Sequence, residues 1–317
     1  MGVGNRAWRW LFYDGSRPAV TALLLVVAYL LIGPVGHALL ATVQTSGVHV
    51  ETYVPLVTTF LSGDLLLVSI VVSINSLFTS REQIPLGQQL ERIQAVSQFR
   101  QTLEELVDEP ISPAEPARFL QLVTGTILSE TQALADDAQA NGELDADIDA
   151  FTSALAAQTR QVSEQLQDAT TSLELVLATL DYEYTTLAND LRRLRSEHGD
   201  AFSEADRDRI DRILELLRHF ITAREYFKTL YLSREFASLS KQLVYLSLPV
   251  ILLVSFALLH DAAIPNTHAV TTVIIVVALS PFVLLAAYTV RVALVTQQTR
   301  ASGQFVIEKD SSDDSRL

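Results

Sequence analysis

The chain has 317 residues, 49% of them hydrophobic, yet it carries 37 acidic against 23 basic side chains, a net charge of −14. Four nearly uncharged runs of membrane-spanning length exclude a soluble globular protein, and the acidic balance argues against nucleic acid as a partner. The absence of cysteine excludes disulfides, thiolate metal sites and cysteine nucleophiles.

The basic residues are 20 Arg and only 3 Lys, at Lys228, Lys241 and Lys309. Abundant acid with scarce lysine resembles the composition of salt-loving archaea, whose self-repelling surfaces stay soluble in strong salt.

The first apolar run, about 19–43, follows Arg6, Arg9 and Arg17 and the aromatic group Trp8, Trp10, Phe12 and Tyr13, which suits an inner membrane interface. It is too long for a signal-peptide core and reads as a retained anchor. The second run, about 54–78, holds one carboxylate, Asp64. Ionisable groups inside a span mark functional sites by default, because an ionised carboxylate is costly there. At about 100° per residue Asn75 shares the face of Asp64, while Ser62, Ser69 and Ser73 line the opposite face. These residues read as an ion pathway for a cation or proton, or, more plainly, as small-residue helix packing.

Residues 81–241 carry 29 acidic and 16 basic side chains, so almost all the net charge lies here. Sparse glycine and the absence of proline between Pro116 and Pro249 describe helices, expected at about 86–109, 113–140, 143–197 and 203–241, the last continuing into the third span. Ser112-Pro113-Ala114-Glu115 and Ser203-Glu204-Ala205-Asp206 fit capping boxes. Within 143–197 an apolar seam from Ile148 to Leu194 averages about 3.5 residues per step, the coiled-coil period. At ~1.5 Å per residue the four helices extend roughly 36, 42, 82 and 58 Å, out and back twice. The first hairpin then covers half of the second and leaves a lone tip near 175–225. There Leu180, Tyr184, Leu187, Leu191, Leu214, Leu217, Phe220 and Ile221 are expected to associate with another copy or with a cytoplasmic protein partner.

On the same geometry the acids Asp136, Asp137, Glu143, Asp145, Asp147 and Asp149 return to the membrane surface and attract cations. Their resemblance to a calcium loop fails at Ala150 and Ala156, where glycine and a bidentate glutamate belong. The third span is expected at about 243–259, with Pro249, and the fourth at about 269–290, with Pro281. His37, His49, His260 and His268 gather at the outer ends and loops as a weak metal or pH site.

Arginine and lysine flank the outer limits of both span pairs, and the loops 44–53 and 261–268 contain neither. The positive-inside rule therefore puts both termini and the long insert in the cytoplasm and the chain in the cell membrane. The expectation is an all-α, multi-pass protein with four transmembrane helices in a 2+2 layout around a cytoplasmic antiparallel, coiled-coil insert. Its divisions are 1–80, 81–241, 242–292 and a disordered acidic tail, 293–317. No nucleotide, zincin or hydrolase motif is present, so neither an enzyme nor a cofactor is expected. The leading functional expectation is an oligomeric membrane-anchored scaffold or signal relay; the second is an oligomeric ion channel or transporter regulated by the insert.

Overall fold

The computed structural model describes residues 10–11, 15–35, 38, 53–82, 85–140, 146–169, 171–179, 182, 184–197, 202–260 and 267–298. They contain no strand. In chain order the helices are α1 (Arg17–Leu30), which runs into a π-helical turn at Leu31–Val35, α2 (Tyr53–Glu82), α3 (Leu86–Val107), α4 (Pro116–Ala140), α5 (Ala146–Asp168), α6 (Ser172–Ala178), α7 (Tyr184–Glu197), α8 (Glu204–Leu259) and α9 (His268–Gln298). Two compact units divide the chain: Met1–Ile84 with Ser233–Leu294, and Pro85–Leu232 with Val295–Leu317.

The first unit contains helices long and apolar enough to cross a membrane, at Arg17–Val35, Val54–Ser76, the apolar part of α8 and His268–Thr296. Leu65, Leu66, Ile70 and Val72 of α2 and Leu252, Leu253 and Phe256 of α8 point outward, as lipid requires of helices whose backbones satisfy themselves. The inward face of α2 repeats every seven residues. Val57 packs against Val250 and Val254 of α8 and Ile275 and Ala278 of α9. Two heptads on, Val71 meets Leu239, Leu243, Leu284 and Tyr288. These contacts run α2 antiparallel to α8 and parallel to α9. Arg17 donates to the Ala287 carbonyl (3.2 Å), and Gly33 approaches Thr272 so closely that a Cβ there would lie 3.2 Å from its methyl. Hence α1 is antiparallel to α9.

The second unit departs from the expected pair of hairpins. α3 ends at Asp108, whose φ of 54° is left-handed, a conformation that a short polar side chain tolerates. The chain then runs back along α3. The Ser112 amide and hydroxyl both donate to Glu104 at 2.7 Å, and Arg100 donates to the Ser112 carbonyl. Ser112 is therefore committed to α3 and does not cap the next helix. α4 starts at Pro116 rather than Pro113, with Phe119 N bonded to the Glu115 carbonyl, and a proline at the first position loses no helical bond.

Phe99 stacks on His219 (4.8 Å), Phe119 meets Phe227 edge-on (6.4 Å), and Glu130 pairs with Arg209 and Arg212. α4 thus runs antiparallel to α8. Leu106–Asp108 share a groove with Arg212, so α3 runs the same way as α4, and the reversal between them is the extended stretch 109–115.

The long helix expected over 143–197 is broken in two places. Thr171 and Glu174 form a reciprocal capping box that starts α6 (Glu174 N to Thr171 Oγ1, 3.2 Å; Thr171 N to Glu174 Oε2, 3.0 Å). Tyr182 is buried, with its hydroxyl 3.1 Å from Thr159 and its ring 4.9 Å from that of Phe220. The segment folds back on α5 and α8 instead of extending. Ile148, Leu155, Val162, Leu166, Leu173, Leu187, Leu191 and Leu194 are all buried, so the seam identifies interior positions but not one continuous rod. α8 opens with the expected box at Ser203 and Asp206 and continues unbroken to Leu259.

Candidate functional site

Asp64 is fully buried, at 0% exposure. Neither carboxylate oxygen has a hydrogen-bond partner among the described residues. The helix registers say what surrounds it. Counting midway between the Val57 and Val71 layers, the level of Asp64 falls at Leu246–Ser247 on α8 and at Ser280–Pro281 on α9. Two contacts of α2 with Phe282 fit this register. The Phe60 and Phe282 rings lie 5.9 Å apart, and a Cβ at Gly63 would lie 2.5 Å from the Phe282 ring. Gly63 is thus the position where α2 admits Phe282 beside Asp64.

Ser247 is 0% exposed, and its hydroxyl is likewise unpartnered among the described residues. Thr21 of α1 is buried with an unpartnered hydroxyl too; by the α1–α9 register it lies level with Leu284, one turn from Ser280. On two helices of the layer a proline leaves a carbonyl without its usual amide. Pro281 has no amide to give the Val277 carbonyl, and Ser280 Oγ donates to that carbonyl at 2.7 Å instead. Pro249, two residues from Ser247 and also inside its helix, removes the amide that would serve Tyr245. A carboxylate, hydroxyls and two helix positions whose prolines leave a carbonyl without its usual amide therefore share one level, with an apolar cluster on each side.

The other residues proposed beside Asp64 do not join it. Ser62, Ser69, Ser73 and Asn75 are exposed on the outer faces of α2. Ser62 donates to the Thr58 carbonyl (3.0 Å) and Ser73 to that of Ser69 (2.9 Å), so these hydroxyls are satisfied by their own helix. The helical angle that puts Asn75 on the Asp64 face accumulates error over three turns, and Val71 is the residue that continues the buried stripe.

Near the Arg17 end of α1, the Arg17 and Arg291 guanidinium groups both donate to the Gly15 carbonyl, at 3.1 and 3.0 Å. Arg291 lies 3.8 Å from Glu235, and Ser238 bonds Tyr288 at 3.0 Å. These contacts knit α1, α8 and α9 together.

His37 and His49 lie outside the described residues. His260 stacks on Phe256 of its own helix (4.3 Å) and bonds its carbonyl (3.1 Å), and His268 is exposed. No cluster of three or more metal-ligating side chains occurs among the described residues.

Asp137 pairs with Arg209, as does Glu130 (3.2 Å), so these two acids sit against the first turns of α8. Asp136 and Asp149 are exposed; Glu143, Asp145 and the Asp147 side chain lie outside the described residues.

At the supposed tip, Leu187, Leu191, Leu217 and Phe220 are buried within the unit, and Leu214 and Ile221 are half-buried. Leu180 and the Tyr184 side chain lie outside the described residues.

The profile of a family of unknown function (DUF7972) matches residues 2–317. The chain belongs to that family. No curated protein and no solved structure matches it.

Proposed function

We propose that this family member is an ion-handling protein of the cytoplasmic membrane, in which Asp64 binds a proton or monovalent cation at mid-bilayer and the helical insert regulates the site. The four spans are arranged two and two, with both termini and the insert on the cytoplasmic side, following the arginines at the ends of each pair. One observation carries the reading: a fully buried carboxylate with no partner among the described residues, level with prolines inside two continuous helices. Burying such a group costs free energy that packing alone has no reason to retain. The continuous α8 begins in the insert and ends in a span, which supports regulation along a stiff element.

The test is ion movement in liposomes containing the full-length protein, read with internal indicators for protons, sodium and potassium. Wild type should move one of these ions, and Asp64→Asn should abolish the movement while leaving detergent elution and helicity unchanged. Flux that persists in Asp64→Asn at the wild-type rate rejects the reading.

A second reading, the oligomeric scaffold or signal relay, is favoured by a different surface. Leu86, Leu90, Ile93 and Val96 of α3 are exposed by 89, 55, 58 and 46%, an apolar stripe of the kind that assembles. In that case Leu90→Glu should lower the oligomeric state, as read by light scattering.

A further inference from the structure

We infer that the ion held at Asp64 is a proton, carried as a neutral carboxyl group. The inference rests on the reading of Asp64 as the ion-handling group and deepens it to one chemical species.

Ligand supply separates a proton from an alkali cation. A metal ion stripped of water needs a cage of oxygens to replace its hydration shell. The Asp64 level offers the two carboxylate oxygens, Ser247 Oγ, Ser280 Oγ and the Tyr245 carbonyl that Pro249 leaves without its amide, and neither carboxylate oxygen nor Ser247 Oγ is drawn into hydrogen-bond contact with another of them. On either side the level is bounded by Val57, Val250, Val254, Ile275 and Ala278 and by Val71, Leu239, Leu243, Leu284 and Tyr288, of which only Tyr288 has a side-chain oxygen, and that is bonded to Ser238. The Phe282 ring fills the space beside Gly63. A proton asks for far less: one O–H bond on Asp64 removes the charge that the apolar layers cannot solvate.

Among the described residues, the other charged and titratable groups are engaged elsewhere or stand away from this level. On α1, Arg17 is engaged with the Gly15 and Ala287 carbonyls, the latter seven residues from Ser280, roughly 10 Å along α9; Tyr29 stands level with Val276. On α8, Tyr245 is 68% exposed, and Lys241 (over the Tyr245 ring) and His260 lie towards opposite ends of the apolar stretch. On α9, Tyr288 is bonded to Ser238, Arg291 faces Glu235, and His268 begins the helix. On α2 itself, Tyr53, Arg81 and Glu82 occupy the two ends. Among the described residues, Asp64 is thus the one carboxyl group between the Val57 and Val71 layers.

A membrane-soluble carbodiimide tests this, since it adds to protonated carboxyl groups in apolar surroundings and the adduct can be located by peptide mass. Full-length protein in nanodiscs is treated across a pH series in choline, sodium or potassium chloride at equal ionic strength. The expected result is an adduct at Asp64 that falls as pH rises, is the same in all three salts, is lost in Asp64→Asn and is retained in Asp64→Glu. The glutamate variant keeps the test valid if the amide does not fold.

Sodium or potassium that suppresses the adduct at fixed pH would overturn the proton assignment and leave the ion-handling reading standing. Absence of the adduct at every pH, with Asp64-dependent flux intact, would overturn the assignment in the same way. Absence of both adduct and flux would remove both.

Discussion

The two units differ in how completely their buried polar side chains are satisfied: single atoms such as Arg224 Nε and Asp206 Oδ1 lack a partner in the insert, whereas both carboxylate oxygens of Asp64 lack one in the membrane unit. In the insert, Arg224 is 3% exposed yet donates to the Thr179 carbonyl (3.3 Å) and to Glu225 (3.2 Å). Tyr182 has Thr159, and Asp206 closes a cap with Ser203. In the membrane unit, Asp64, Ser247 and Thr21 have no partner among the described residues. Unmade hydrogen bonds in an apolar interior cost more than any other polar arrangement. Each of these insert residues keeps at least one hydrogen bond, whereas the whole carboxyl group of Asp64 has none among the described residues, at the level of the proposed site.

The sharpest way to break that comparison is to damage the insert core. Phe220 is 0% exposed, and Phe220→Ala should cost about 3–5 kcal/mol, measured as the unfolding of full-length protein in high salt. A loss below about 1 kcal/mol would show that the insert's interior is not the packed core described here.

The membrane unit should respond with the opposite sign. Asp64→Leu removes an unpartnered carboxyl group without opening a cavity, so the bundle should gain about 1–3 kcal/mol while losing ion movement. A destabilised variant would mean that Asp64 has a structural partner. The neighbouring Gly63→Ala should instead destabilise by about 1–3 kcal/mol through overpacking, and Phe282→Leu in the same chain should restore most of that loss. Without such rescue the contact between α2 and α9 at this level is wrong.

Smaller effects sharpen the insert side. Thr171→Ala deletes the cap of α6 and should cost about 1 kcal/mol; no change would mean that the helix continues through this point.

Glu104 accepts the Ser112 amide and hydroxyl, which hold its carboxyl below the usual carboxylate range. A depressed value contributes stability that is present above the unfolded-state pKa and is lost as pH falls through the folded one. Glu104→Gln should therefore differ from wild type at neutral pH and converge with it in acid, as read by melting temperature across a pH series. A difference that persists in acid would assign the effect to packing.

Much of this architecture is legible in the residue order, and the misses have local causes. Thr171-Ser172-Leu173-Glu174 is a readable capping signal, but it lies inside an apolar repeat whose regular average conceals a break. Pro113 and Pro116 both permit a helix start; the choice fell to Ser112, which Glu104 and Arg100 hold against α3. The direction of α4 was not legible, because helix lengths alone are equally compatible with a hairpin and with an extended return. At the candidate site Asp64 stands out in its span, whereas Ser247, Ser280 and Thr21 are ordinary residues of apolar helices until the helices are set side by side.

Hydrophobic run length, helix-breaking residues and the unevenness of charge act locally, so the order of amino acids determined by itself that four helices can cross a membrane, that an acidic helical segment lies between them, and that one carboxylate is stranded in an apolar stretch. Register between helices depends on which side chains interdigitate across the bundle, and only the tertiary structure decided it. Packing of Val57 against Val254 and Val71 against Leu239 sets Asp64 at the level of Leu246–Ser247, and the Thr171 cap and the burial of Tyr182 turn a seemingly continuous helix back on itself. Those contacts join residues far apart in the chain, and their free energy is gained only when both surfaces are present.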